Sequence, residues 1–440
     1  MLIDYAGTVY AVIAPLIFPE GFSIGSGNGK SNSLEIERNG EGHPVIRGTT
    51  IAGLLRAETE NDPRFEKYAE TYFGAPLDRN EDRRESRLIF SDAVLSEGSA
   101  ESMHNLMSRH TGSISLENSG LFSMEKVLPG SRTELFFRLK SESAMSETDE
   151  QLIGFLAECL NGGILIGGNS NRGGGRCMLE GNRIQVRKFD LEKAEDAADY
   201  LDLMYAEKRS INTFREVQAV SMHNRFAVDV TLRIPAGQDL LCSEGNDMFP
   251  VSTLQADGRS YWKIPGSTLR GIFKGWMSRL AARDGEKLSD SAEWYQTRGN
   301  RKEVEAPNLP DDPIQDLFGS LEKKGRIHFT DAYSARPADA KKDTQKRSHV
   351  VIDRFTGGTN DGKLFQNSVL TASDISFKTE ISILEAGAKE VHWLEKTLQA
   401  LHLGLIRVGS SKSAGRLEIG EITVSANPSN YDFDTEMKGV

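Results

Sequence analysis

Hydrophobic and polar positions along the chain change period in an order that predicts discrete elements. Arg225–Ile234 (RFAVDVTLRI) alternates apolar and polar residues, the two-residue period of a strand with one buried face. From Gly266 onward the period becomes helical. Leu269, Ile272, Phe273, Trp276, Met277 and Leu280 form the stripe of an amphipathic helix, with Ser267 or Thr268 placed to cap it. RIHFTDA (326–332) and LTASDISFKTEISIL (370–384) predict sheet strands. KEVHWLEKTLQALHLGL (389–405), apolar at Val391, Leu394, Leu398 and Leu401, predicts a second helix, and GRLEIGEITV (415–424) a closing strand pair. Earlier, GTVYAVIAPLIF (7–18) predicts another opening strand, and Leu191–Arg209, without Gly or Pro, a helix.

The two opening strands begin two copies of one pattern. IRGTTIAGLLR (46–56) matches IPGSTLRGIFK (264–274), with Gly48 and Gly266 218 residues apart, and Gly27-Asn28 recurs at the same offset as Gly245-Asn246. Five further landmarks repeat in the same order. YFGA (72–75) answers to LFGS (317–320), FSDA (90–93) to FTDA (329–332), and RHTG (109–112) to RFTG (354–357). Leu121-Phe122 answers to Leu364-Phe365, and IGGNSNRGGGR (166–176) to VGSSKSAGRL (408–417). Such ordered self-similarity means two homologous domains in one chain. They are expected over residues 1–190 and 225–440, joined by a helical linker over 191–224. Each copy reads strand, helix, two strands, helix, strand: an α+β plate of the RRM or ferredoxin type.

Charge and composition exclude some functions. The net charge of −11 argues against indiscriminate coating of nucleic acid, although a groove depends on where the cations lie. No apolar run is long enough to cross a bilayer and no signal peptide is recognisable, so no membrane partner is expected. Three cysteines without CxxC spacing fit a reducing, cytoplasmic setting. GSGNGKS (25–31) ends like a phosphate-binding P-loop, but the position five before Gly29 is Ile24, and the following residues are turn-rich instead of helical.

IPGSTLRG, LFGS, DA, IDRFTG and the late Gly-rich loop together resemble the RAMP superfamily of CRISPR-associated proteins. More narrowly they are similar to the Cas7-like backbone subunits of type III effector complexes. The resemblance covers both halves, as in a tandem fusion of the type III-D kind. The first copy departs from it, with Arg47 where the family has Pro and SRHTGS in place of IDRFTG. The resemblance implies a modified RRM fold and an inserted β-hairpin thumb in each copy, which distorts the guide–target duplex. It implies as partners a CRISPR RNA (crRNA), a paired single-stranded target RNA and other Cas subunits. In active members an Asp in the loop after the first strand supports target cleavage, with Mg²⁺ or another divalent cation as the expected cofactor.

On that pattern Asp247, directly after Gly245-Asn246, is the candidate catalyst, and Asp257 in a turn-like ADGR is second choice. A carboxylate beside a scissile phosphate orients the 2′-hydroxyl, accepts its proton or holds a cation. The aligned first-copy residue is Gly29, and no Asp lies between Asp4 and Asp62, so the first domain is expected to bind and not cut. Candidate phosphate contacts at the helix starts are Arg56, Ser267, Thr268, Arg270 and Lys274, because a helix N-terminus offers free N–H groups. The Gly-rich loops add Lys30, Asn169, Asn171, Arg172, Arg176, Lys412 and Arg416. The basic stretch 336–363 adds Arg347 and Arg354, with Val351, Ile352 and Phe355 as wedges against bases. No histidines stand at metal-ligand spacing. The alternatives are a non-catalytic crRNA-binding filament subunit, a Cas6-like precursor endonuclease, for which no His or Lys–Tyr centre can be assembled, and a small-molecule enzyme.

Overall fold

A computed structural model describes residues 7–25, 33–74, 85–95, 98–105, 121–141, 145–168, 173–217, 225–243, 249–288, 312–320, 323–353, 355–409, 415–427 and 430–437. The chain is a mixed α/β protein that divides into two compact units. The first comprises Met1–Ala100, Glu125–Ser170 and Gly175–Met222, and the second Glu101–Met124, Asn171–Gly174 and His223–Val440.

The first unit is built on β1 (Thr8–Phe18), α1 (Gly48–Asn61), α2 (Ala69–Phe73), β2 (Leu88–Phe90), β3 (Ser131–Ser141), α3 (Ser146–Gly162), β4 (Arg176–Leu179), β5 (Arg183–Asp190), α4 (Ala194–Tyr205) and β6 (Phe214–Glu216). Strand β1 pairs antiparallel with β3 along its whole length, from Thr8 opposite Ser141 to Phe18 opposite Ser131. Its other edge takes β5 and, further along, β4. Strands β2 and β6 extend the sheet beyond β3 and β5. Alternate residues of β1 point to opposite faces. Tyr10, Val12, Ala14, Leu16 and Phe18 share one core with Ile51 and Leu55 of α1 and Leu152, Leu156 and Leu160 of α3. Val9, Ala11 and Ile13 meet a second core with Tyr200 and Leu203 of α4. Burial on both faces is why this strand is an almost continuous apolar run.

The second unit contains β7 (Arg225–Arg233), β8 (Ser260–Ile264), α5 (Gly266–Arg283), α6 (Pro313–Phe318), β9 (Ile327–Phe329), β10 (Ala332–Ser334), β11 (Thr344–Ile352), β12 (Thr359–Leu370), β13 (Ser376–Leu384), α7 (Ala388–His402) and β14 (Glu418–Ala426). Strand β7 lies antiparallel between β13 and β14, and β13 also pairs with β9 and β10. Phe226, Val228, Val230 and Leu232 face the core, and Asp229 and Arg233 face solvent, as the alternation predicts. Leu269, Phe273 and Met277 of α5 are buried with Leu394, Leu398 and Leu401 of α7. Two expectations change. GRLEIGEITV supplies one strand, β14, instead of a pair. Helix α5 starts at Gly266 with Pro265 as its N-cap, so neither Ser267 nor Thr268 caps it. Strands β11 and β12 form a separate two-stranded ribbon.

The three cysteines are buried and unpaired, and burial pushes the Cys242 thiol up to about 12. Among the described residues no helix is long and apolar enough to cross a membrane.

A polar lock fastens α3 in the first unit and α7 in the second to the sheet. In the first unit Arg87, just before β2, pairs with Asp149 in the first turn of α3 at 2.9 Å. Tyr72 and Ser141 donate hydroxyls to the same carboxylate at 2.8 and 2.6 Å. In the second unit Arg326 pairs with Glu390 in the first turn of α7 and with Asp316. The Arg87–Asp149 pair is buried, so removing one member strands the other charge in a low-dielectric interior. Asp149→Ala is expected to destabilise the protein by about 3–5 kcal/mol, read as a lowered urea midpoint.

Candidate nucleic-acid interface

Both units start their first helix with the same clamp. The Gly48 N–H donates to Asp92 Oδ1 at 2.8 Å, and the Gly266 N–H to Asp331 Oδ1 at 2.7 Å. These aspartates belong to FSDA and FTDA, which thereby gain a structural explanation. Only glycine fits at the helix start, because a Cβ on Gly48 would lie 2.3 Å from the Phe90 carbonyl oxygen, and one on Gly266 2.8 Å from that of Phe329. The Gly48 N–H, with Arg47 beyond it, holds the Asp92 carboxyl below its usual range. The expectation of free N–H groups at these helix starts is therefore corrected. The first donor is taken by a carboxylate, whose negative charge already complements the helix dipole. Ser267 and Thr268 are half-buried on the first turn of α5.

The described candidate cations are engaged within the fold. Arg56 donates to the Gly74 carbonyl at 3.1 Å and to Glu60 at 2.7 Å. Arg270 donates to the Phe318 carbonyl and lies over the Phe318 ring, which Lys274 also faces at 5.9 Å. Gly74 and Phe318 end α2 and α6, where cations complement exposed carbonyls. Arg176 lies against Gly163 at the end of α3, and Arg416 against Gly404 just beyond the end of α7. Arg416 also pairs with Glu418 at 3.1 Å. Arg347 forks onto Asp239 with two hydrogen bonds of 2.9 Å. Lys30, Asn169, Asn171, Arg172, Asp247, Arg354 and Lys412 lie outside the described residues.

Three segments converge on one backbone node in each unit. In the second, Leu240 exchanges N–H···O bonds with Leu370, at the end of β12. The Gly415 N–H donates to the Asp239 carbonyl at 2.7 Å, and Gly409 (φ +104°) packs where a Cβ would lie 2.3 Å from the Leu241 carbonyl. The first unit repeats the pattern at Gly21–Ser23. Val127 N–H donates to the Phe22 carbonyl at 2.8 Å, Gly175 N–H to that of Gly21 at 2.7 Å, and Gly168 N–H to that of Ser23 at 3.0 Å. In the second unit the loop after β7, the late Gly-rich loop and the base of the β11–β12 ribbon are thus stitched side by side, and in the first unit the segment at Val127 takes the ribbon's place. Sequence reasoning found these loops as separate motifs and missed that they meet.

The ribbon of β11 and β12 carries an exposed apolar end. Ile352 and Leu364 are well exposed, and Phe355 is fully exposed. Asp353 shapes the turn by accepting the N–H groups of Phe355 and Thr356 at 2.9 and 2.8 Å, a role the sequence reading overlooked. His349 stacks on Phe365 and meets Asn367 Oδ1 at 3.1 Å. The basic stretch divides into two kinds of cation. Arg336 and Lys342 are tied to Asp374, and Arg336 also to Asp343, whereas Lys341 and Lys346 are exposed. Asp257 closes a turn, accepting Arg259 N–H at 2.9 Å and Tyr261 O–H at 2.8 Å, bonds that lower its pKa. Among the described residues no group of three or more His, Cys, Asp or Glu side chains is placed to hold a metal ion.

The family model of the RAMP superfamily matches the chain twice, over residues 12–178 and 232–418. Each match begins in the opening strand of a copy and ends beyond its late Gly-rich loop. No curated protein matches the chain.

The Asp92 clamp has a definite pH signature. A carboxyl with a depressed folded pKa stabilises the fold above its unfolded value and ceases to do so as the pH falls through the folded one. The urea midpoint of Asp92→Ala is expected to lie below that of the parent at neutral pH. The two midpoints converge below about pH 4.

Proposed function

We propose a function from one premise: the chain belongs to the RAMP superfamily. Membership makes it a CRISPR-associated, RNA-binding subunit. Our further reading is a tandem Cas7-like backbone subunit of a type III effector, two RRM-like plates that hold a crRNA and present a paired target RNA. What best supports it is the node at Asp239–Leu241, which fastens the loop bearing Asp247 to the base of the ribbon and to the late Gly-rich loop. A ribbon ending in exposed Ile352 and Phe355 suits insertion between bases, and Lys346 on its strand suits a phosphate. The partnered arginines reach RNA by exchanging an internal acceptor for a phosphate oxygen, since guanidinium presents several donors.

In this reading the second unit cuts and the first only binds. Splaying the target by the ribbon lines up a 2′-hydroxyl with the adjacent phosphorus. The Asp247 carboxylate takes the hydroxyl proton as the oxygen attacks. The bond to the 5′ oxygen breaks, and that oxygen takes a proton from water, leaving a 2′,3′-cyclic phosphate and a 5′-hydroxyl. Asp257 is the weaker candidate because its carboxylate is occupied in its own turn. A divalent cation, the expected cofactor, is a variable of the assay.

The test is the purified complex with matched target RNA, in Mg²⁺ and in EDTA. Asp247→Ala is expected to remove one family of cuts by at least about 100-fold, the scale of a lost general base, with crRNA content unchanged. Asp257→Ala is expected to leave every cut in place. Cutting that survives Asp247→Ala at all sites would make the chain a non-catalytic filament subunit, and a chain that purifies free of RNA would sink the larger reading.

A further inference from the structure

Helices α3 and α7 hold the same place in their units. Asp149 and Glu390 receive the locking arginines, and Gly163 and Gly404, both at positive φ, follow the helix ends. In each pair the second residue lies 241 positions after the first. At that offset Gln151, Gly154 and Glu158, on one face of α3, match His392, Glu395 and Gln399 of α7. In the second unit that face is covered, because residues 430–437 lie across it as a strap. Tyr431 O–H meets His392 Nδ1 at 3.0 Å, the Asp434 N–H donates to Glu395 at 3.1 Å, and the Gln399 amide donates to the Asp434 carboxylate at 3.2 Å. Phe433 anchors the strap against Phe226, with ring centroids 5.5 Å apart, and Glu395 and Gln399 are buried.

In the first unit the matching face lies open. Gln151 is exposed, and with Gly154, Phe155 and Glu158 it forms one wall of a cleft of about 460 Å³, which residues 64–68 and Arg215 of β6 complete. Where α7 carries Glu395, α3 has Gly154, and Arg215 takes the space. Its Nη2 sits 2.7 Å from where a Gly154 Cβ would be, and its Nη1 donates to the Glu150 carbonyl at 3.1 Å. The carboxylate that meets the strap in the second unit is thus replaced by an exposed guanidinium. Lys67 adds a second exposed cation, and Glu158 is the one carboxylate among the lining residues.

We infer that this face of α3 is a docking site for an acidic peptide segment of a partner protein, laid across the helix as residues 430–437 lie across α7. Two observations carry it. In the homologous copy the same face is covered by polypeptide, so its shape is that of a strap bed. The strap there is acidic, with Asp432, Asp434 and Glu436 in a row of alternate positions. A segment of that kind meets opposite charge on the first unit, where Arg215 and Lys67 can make charge-assisted bonds to its carboxylates. The inference goes beyond the proposed guide and target path and needs neither RNA nor cleavage.

The probe is the strap sequence itself, a fluorescein-labelled peptide of residues 427–437 (NPSNYDFDTEM), titrated with the full-length chain and read by anisotropy. Saturable binding is expected. It should weaken at least about tenfold in Arg215→Glu and in Lys67→Glu, the loss typical of a charge-assisted contact. Both replacements are at exposed positions, and unchanged thermal midpoints certify the fold, with either variant sufficient if the other fails to fold. A peptide carrying Asp432→Asn, Asp434→Asn and Glu436→Gln should lose affinity to the same degree. With benzoylphenylalanine in place of Phe433, the photo-cross-link is expected on α3 or on residues 64–68. Cross-links confined to α7 would mean exchange with the chain's own strap and would overturn the inference. So would binding that does not saturate by about 1 mM, or binding unchanged in a folded variant. A single-stranded RNA pentanucleotide that displaces the probe as well as unlabelled peptide does would mark a general anion site and overturn it too.

Discussion

The structure depends on a short backbone junction after the first strand of each unit. At Gly21–Ser23 and again at Asp239–Leu241, main-chain groups bond to Val127 or to Leu370 at the base of the ribbon, and meet the late Gly-rich loop. Peptide groups taken from water must find partners, so a junction made of them is maintained through wide side-chain change. That is how two copies with few identical residues keep the same loops together. The junction also separates tasks, since the scaffold is set by backbone and the side chains on the loops are left to carry function.

That freedom shows in the differences between the copies. The helix clamp is the same in both, but Arg47 in the first unit joins Asp92 and Glu37 in an ion-pair cluster where the second unit has Pro265. The first sheet is covered on its second face by α4, whereas β7 turns Asp229 and Arg233 to solvent. Gly29 stands where Asp247 stands 218 residues later. Each change leaves the junction intact, which is why binding without cutting is a coherent reading for the first unit.

The ribbon is the exception to economical packing. Its apolar end faces water at a cost, since a soluble chain gains by covering such surface. The exposed Phe355 is held up by a turn centred on Asp353. The chain as a whole is acidic. Among the described residues, Arg56, Arg347 and Arg416 are paired within the fold, so in the proposed reading RNA contact rests on local exchange of partners more than on bulk charge.

The sequence by itself determined the repeat, the helical stripe at Leu269, Phe273 and Met277 and the alternation of Arg225–Ile234, because these signals are local periods set by which face is buried. It also marked FSDA, FTDA and the glycines as landmarks without giving their purpose. The tertiary structure decided that purpose. Gly48 meets Asp92 across 44 residues and Gly266 meets Asp331 across 65, distances over which no local pattern operates. The same holds for the junction at Asp239–Leu241. A period along the chain reports burial. A contact between distant segments exists only once the sheet has closed, and it left its trace in the sequence as residues whose reason lay elsewhere.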